Sequence, residues 1–308
     1  METTENKKEF SSIGLRIFIG TALIFAIQIG CQKLLVLLKP EWAENYDIMF
    51  AAGMVPLYVI GYPIALLLMR KKDAPVIEKH SMKPWQILLA FMSSYGLMIV
   101  GNLTGLVVTT GIGLIKGAPV QNVLLNAVTT GNIWISAIYI VLLAPFFEEL
   151  LFRKLICDRA IKYGQGTAVI VSGLIFGLFH LNFNQFFYAF LLGCFFAYIY
   201  VRTGNVKYCI AIHMMVNFVG SLLGGLLLNN VDLQTPMGAM IFGLYGICIY
   251  AIAIAGIILL LVNKSKITLK MGEVIIEKGQ LFKTVILNPG MLLYIILCLA
   301  VMIVQALM

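Results

Sequence analysis

The length of its uncharged apolar runs constrains this chain more than any other feature. Stretches of about 20 apolar residues, enough to cross a bilayer as helix, fall at roughly 13–38, 47–69, 85–109, 131–156, 167–181, 184–201, 207–228, 237–262 and 290–307. Across 308 residues, 61% are hydrophobic and only 12% are charged, about half the charge of a soluble domain. The fold class this predicts is an all-α polytopic membrane protein, an eight- or nine-helix bundle forming a single transmembrane domain over 1–308. The polar connections at about 70–84 and 263–288 are too short to build a core of their own. The second is expected as a short hairpin or a segment lying on the headgroups.

The first run, from Ile13 to about Leu38, is too long for a signal-peptide core and lacks a small-residue cleavage pattern, so it reads as a spanning helix in a chain that starts near Met1. Cys31, Cys157, Cys194, Cys209, Cys248 and Cys298 lie in or beside apolar runs without CxxC spacing, as expected of buried, reduced residues. The net charge of +8 reads as topology signalling and contact with acidic lipid headgroups. Nothing suggests nucleic-acid binding. The lipid bilayer is the expected partner, and the oligomeric state stays open.

Basic residues sort the loops. Lys7, Lys8 and Arg16 precede or begin the first span; Arg70, Lys71, Lys72, Lys79 and Lys83 follow the second; Lys154, Arg159 and Lys162 follow the fourth. Arg202 and Lys207 follow the sixth, and Lys264, Lys266, Lys270, Lys278 and Lys283 follow the eighth, whereas the intervening loops carry only Lys33 or Lys39 and Lys116. By the positive-inside rule the N-terminus is cytoplasmic and, with nine spans, the C-terminus faces out.

Against this background a few polar residues stand out. Of fourteen acidic residues, twelve can be assigned to loops or span ends, but Glu148 and Glu149 cannot. A carboxylate near a helix centre costs about 2.5–3.5 kcal/mol on insertion scales, so it usually faces a cavity or a partner. His180 and His213 are also inside spans. The turn Tyr163-Gly164-Gln165-Gly166 predicts an antiparallel hairpin between the fourth and fifth spans. Glu148 lies sixteen residues before Gly164 and His180 sixteen after it; at about 1.5 Å per residue both reach the same depth and can face each other.

A second turn near Thr203-Gly204-Asn205 places His213 and Asn217, four residues apart, on one helical face at comparable depth. Adjacent helical residues point about 100° apart, so Glu148 and Glu149 are not expected to aim at one centre. Glu149 is instead set at i, i+4 from Arg153, where an ion pair neutralises both. Glu148 is thus the residue for chemistry, Glu149 with Arg153 the support, and Phe176 the ring beneath His180. Alone, each histidine and Asn217 reads as helix glue; together at one depth they read as a functional site.

These residues fall in three motifs: EELLFR fits EExxxR, FGLFH (176–180) fits FxxxH, and HMMVN (213–217) fits HxxxN. In that order and spacing, the chain resembles the CPBP family of intramembrane proteases, also called the ABI or type II CAAX prenyl endopeptidase family, over about 130–225. The resemblance implies a helical membrane fold with a water-filled cavity open towards the cytoplasm, and endopeptidase chemistry within a catalytic core at 130–225. Glu148 with His180 would activate water, and His213 with Asn217 would stabilise the oxyanion. The best-known prenyl endopeptidase has eight spans, which leaves the role of the helix from Pro289 to Met308 open.

The residue types suit that chemistry. A positioned carboxylate and imidazole serve as general base, and an imidazole and an amide can donate to a developing oxyanion. Zinc would accept Glu148, His180 and His213 and keep a position for water, although no HExxH is present; otherwise no cofactor is implied. Two other classes remain. A proton-coupled transporter would call for discontinuous helices in two related halves, and a bacteriocin-immunity or scaffold protein would keep the motifs for stability. For an endopeptidase the expected partner is a membrane-associated peptide or protein, the prenylated CAAX peptide being the family's eukaryotic association.

Overall fold

The computed structural model describes residues 2–71 and 75–308; Lys72, counted above among the basic loop residues, lies outside them. Among the described residues, eleven helices of more than one turn follow in order: α1 (Glu2–Leu38), α2 (Tyr46–Met69), α3 (Pro84–Lys116), α4 (Val123–Thr129), α5 (Ile133–Tyr163), α6 (Gln165–Phe179), α7 (Phe183–Thr203), α8 (Val206–Asn230), α9 (Pro236–Lys266), α10 (Lys278–Val285) and α11 (Pro289–Leu307). Among the described residues there is no strand. Among the described residues, eight helices are long and apolar enough to cross a membrane. The ninth expected span is α6, whose 15 residues reach only about 22 Å, against about 30 Å of hydrocarbon. It stops because Leu181 takes a left-handed backbone, φ 58°, a conformation that a branched side chain adopts only under constraint. Asn182 then caps α7, its Oδ1 accepting the Gln185 N–H at 2.9 Å while its Nδ2 donates to the His180 carbonyl at 2.7 Å.

The predicted hairpins form. Gly164, with φ 108°, supplies the backbone that turns α5 into α6. The α6 and α7 helices cross closely where Gly173 meets Gly193 and Cys194, with no room for a Cβ on either glycine; small residues at a crossing let backbones approach in lipid. The fourth span is longer than expected and keeps Asp158 inside it. That residue is buried, paired with Lys154 at 2.5 Å and accepting the Tyr200 hydroxyl at 2.7 Å, so it is a third acidic residue withdrawn from water rather than a loop residue.

Several helices contain π-helical turns. Those at Leu57–Gly61 and Ile138–Leu143 immediately precede the turns holding Pro63 and Pro145. A proline lacks the N–H for the i−4 carbonyl and crowds it, and a wider preceding turn removes the clash.

The basic loops gather at one end of the bundle. His80 donates its N–H to the Thr203 carbonyl at 2.8 Å, Lys71 pairs with Glu9 at 3.0 Å, and Val274 donates to the Lys162 carbonyl at 2.9 Å. The 267–277 segment is neither a hairpin nor free on the headgroups: it runs extended over the Gly164 turn, where Gln165 N–H donates to Lys270 O and Lys270 N–H to Gln165 Oε1, both at 3.0 Å. The backbone groups around Gly164 thereby gain partners. At the opposite end, Asn132 N–H donates to Asp47 at 2.7 Å and Asn184 to the Gln121 carbonyl at 2.9 Å. The C-terminal helix belongs to the bundle: Gly290 N–H donates to Ser11 at 3.0 Å, and the fully buried Tyr294 donates its hydroxyl to the Ile175 carbonyl at 3.0 Å.

Candidate active site

Three helices bring the motif residues to one cavity of about 230 Å³, lined by Glu148, Phe176, His180, His213 and Asn217. Glu148 and Glu149 come from α5, where a π-helical stretch over Glu149–Cys157 begins. His180 ends α6; His213 and Asn217 lie one turn apart on α8.

Each polar side chain has a defined hydrogen-bonding state. His180 Nδ1 lies 2.9 Å from the Phe176 carbonyl. A carbonyl only accepts, so Nδ1 carries the proton and Nε2 keeps its lone pair. The Phe176 ring meets His180 edge-on at 4.8 Å, the support expected from its position one turn earlier. Asn217 Nδ2 donates to the Ile140 carbonyl at 2.8 Å, which sets the amide's orientation and leaves one N–H and the carbonyl oxygen unused.

Glu149 is fully buried and holds Arg153, with Nε 2.8 Å from Oε2 and Nη2 donating to Oε1 at 3.1 Å. The Nε–H does not aim along its short contact, so the first is an ion contact and the second a hydrogen bond. The Arg153 guanidinium also lies 4.4 Å from the centre of the Phe176 ring, a cation–π arrangement made stronger by the exclusion of water.

One sequence expectation needs correction. Glu148 and Glu149 do converge on a single group, because they approach opposite edges of one imidazole: His213 Nδ1 is 2.9 Å from Glu149 Oε1, and its Nε2 is 3.9 Å from Glu148 Oε2. The planar ring spans the angle between two successive helical side chains. Since Glu149 is held by Arg153 and can only accept, His213 Nδ1 carries a proton and Nε2 faces the cavity.

Glu148 and His180 share the cavity, but among the described residues no ion pair or hydrogen bond joins them directly. The gap is bridgeable only through a third group such as water. The donor set does not suit zinc: among the described residues, no three His, Cys, Asp or Glu side chains are arranged to hold a metal ion.

Several cavity residues carry no motif. Tyr58 lines the cavity, and behind it Tyr62 stacks on Tyr58 at 5.4 Å and tilts against Phe147 at 5.3 Å. Tyr188, whose hydroxyl accepts from Gln185 Nε2 at 2.8 Å, completes the wall beside His180. The run of aromatic residues in α2 was the one signal available for this wall, and it does not differ from ordinary helix contacts.

Residues 130–219 match the family model described as Rce1-like, type II CAAX prenyl endopeptidase Rce1-like. The match covers under a third of the chain, holds all five cavity residues from the motifs, and agrees with the resemblance read from them. That family is one of CAAX-type intramembrane proteases, and with eight membrane-length apolar helices the chain is a multi-pass integral membrane protein. No curated protein and no solved structure matches it.

Proposed function

We propose that this protein is an intramembrane endopeptidase that hydrolyses a peptide bond in a membrane-associated substrate, with 130–225 as its catalytic core and the N-terminus in the cytoplasm. One observation carries the reading: Glu148, His180, His213 and Asn217 line the same cavity inside a bundle of membrane-spanning helices. Water between Glu148 and the His180 Nε2 lone pair gives up a proton to this pair as its oxygen attacks the scissile carbonyl carbon. The carbonyl oxygen becomes an oxyanion within reach of the spare Asn217 N–H and of His213 Nε2, which donates when the ring is an imidazolium between Glu149 and Glu148. Collapse breaks the C–N bond, and the proton passes to the departing amine. Glu149 with Arg153 orients His213. No step is assigned to a metal.

The test is a comparison of membrane proteomes from cells carrying the parental protein or Glu148→Ala at equal abundance. At least one new protein terminus is expected that depends on Glu148. Identical sets of termini would contradict the reading.

A further inference from the structure

The hydrogen bonds that end α6 and begin α7 form a chain whose direction is set by main-chain groups. The Gln185 N–H only donates, so the Asn182 atom it meets at 2.9 Å is the carbonyl oxygen Oδ1. Nδ2 of the same amide then donates twice, to the His180 carbonyl and to Gln185 Oε1, both at 2.7 Å. The His180 carbonyl only accepts, which excludes the flipped Asn182 amide a second time. With Oε1 taken as an acceptor, the other end of the Gln185 amide is Nε2, and it donates to the Tyr188 hydroxyl oxygen at 2.8 Å.

Tyr188 therefore receives a hydrogen bond and keeps its own proton to give. Among the described residues its O–H donates to no protein group. Tyr188 lines the cavity, and its ring meets the His180 ring edge-on at 6.4 Å. Its main chain lies directly against α3, where a Cβ on Gly101 would collide with Tyr188 Cα. The α6 and α7 helices are tied near their basic end by Gln165 Nε2 donating to the Val201 carbonyl at 3.1 Å. From that tie, His180 lies about 22 Å along α6 and Tyr188 about 20 Å along α7. Glu148, His180 and Tyr188 thus share one level of the cavity, which there offers two acceptors, the carboxylate and the His180 Nε2 lone pair, and one donor.

We propose that Tyr188 is a further catalytic residue, whose hydroxyl donates to the oxygen of the attacking water, and that Gln185 and Asn182 are positioning residues that keep its proton aimed into the cavity. A water molecule has two protons and two lone pairs. Giving both protons to Glu148 and His180 and accepting one from Tyr188 leaves it a single lone pair for the scissile carbonyl carbon. The third bond stops the water from rotating about the line between its two acceptors. As the new C–O bond forms, the water proton passes to the Glu148–His180 pair and Tyr188 keeps its own. That the water is a nucleophile rests on the endopeptidase reading above; the direction of the Tyr188 hydroxyl does not.

The test uses the full-length protein in proteoliposomes and a fluorogenic peptide spanning the Glu148-dependent terminus. Tyr188→Phe is expected to lower kcat by about 10- to 100-fold, the scale on which a misplaced reactant slows a reaction, with kcat/KM falling in step. Gln185→Glu keeps the side chain's shape but turns the end facing Tyr188 into an acceptor, which takes the phenol proton away from the cavity. Its kcat should fall as far as that of Tyr188→Phe, and the double variant should fall no further, whereas an effect of added charge alone would multiply. Parental kcat in either single variant, or multiplied losses in the double, would overturn the proposal. A second readout needs no substrate: the Tyr188 phenol C–O stretch, isolated as the infrared difference between each protein and its Tyr188→Phe counterpart, should move to higher wavenumber in Gln185→Glu, where the hydroxyl only donates. An unmoved band would refute the assigned direction. Parental cleavage by Glu148→Gln would sink the endopeptidase mechanism and leave the band shift in place, so the two fail separately.

Discussion

Glu148→Gln is expected to reduce peptide cleavage by roughly 10²- to 10⁴-fold, the range associated with loss of a positioned general base, while the folded protein keeps its thermal midpoint. The substitution preserves shape and removes only the ability to take a proton. Glu148 is nearly enclosed by protein, and its charged partner within 4 Å is the cavity-facing nitrogen of His213. Removing that charge therefore leaves no tight pair broken. Cleavage rate and thermal midpoint, measured on the same reconstituted preparation, check the prediction together. A fall in both would reassign Glu148 to structure.

The neighbouring glutamate is expected to behave in the opposite way. Arg153 and Glu149 are each 0% exposed and in contact at 2.8 Å, so Arg153→Ala leaves a buried carboxylate without its countercharge. Breaking a buried pair from one side costs about 3–5 kcal/mol. Loss of the guanidinium over Phe176 adds on the order of 1–2 kcal/mol. The thermal midpoint of the purified protein should fall sharply, and little of the variant should accumulate in membranes. Replacing both members with residues of similar size and no charge, Glu149→Gln with Arg153→Met, should recover part of the stability without recovering cleavage, because His213 loses the carboxylate that fixes its Nδ1 proton. A parental thermal midpoint in Arg153→Ala would contradict the structural role.

Much of this site was legible from spacing because helical rise is regular. Counting residues from Gly164 placed Glu148 and His180 at one depth, about 24 Å from that turn, and the same arithmetic from Gly204 placed His213 and Asn217 at about 13 to 20 Å; all four line one cavity. Glu149 and Arg153 at i, i+4 form the expected ion pair. Rotation about a helix was less legible. The 100° rule separated Glu148 from Glu149, yet a flat imidazole presents two nitrogens on different edges and meets both. Side chains from distant helices escaped altogether: Tyr58 lines the cavity with Glu148 across 90 residues of sequence, and periodicity marks a tyrosine on an apolar helix only as buried.

Two features of the fold were hidden for a related reason. Hydropathy registers that residues 167–181 are apolar but not that the helix halts at Leu181, which depends on a left-handed backbone and the Asn182 cap. Charge marks 263–288 as polar but not that Lys270 and Val274 pair with the Gly164 turn, since those bonds use main-chain atoms common to every residue. Both features bear on the site, one ending α6 at His180 and the other covering the Gly164 turn.

The central claim is that a carboxylate at position 148 takes a proton from water inside the cavity. Chemical rescue tests it most directly: Glu148→Ala in proteoliposomes, assayed for cleavage of its identified substrate with increasing formate. The cavity of about 230 Å³ has room for formate in place of the missing side chain. The account predicts that cleavage is lost in Glu148→Ala and returns in proportion to formate, with no return in Glu148→Gln, where the amide still fills the space. Cleavage by Glu148→Ala at the parental rate without formate would contradict it.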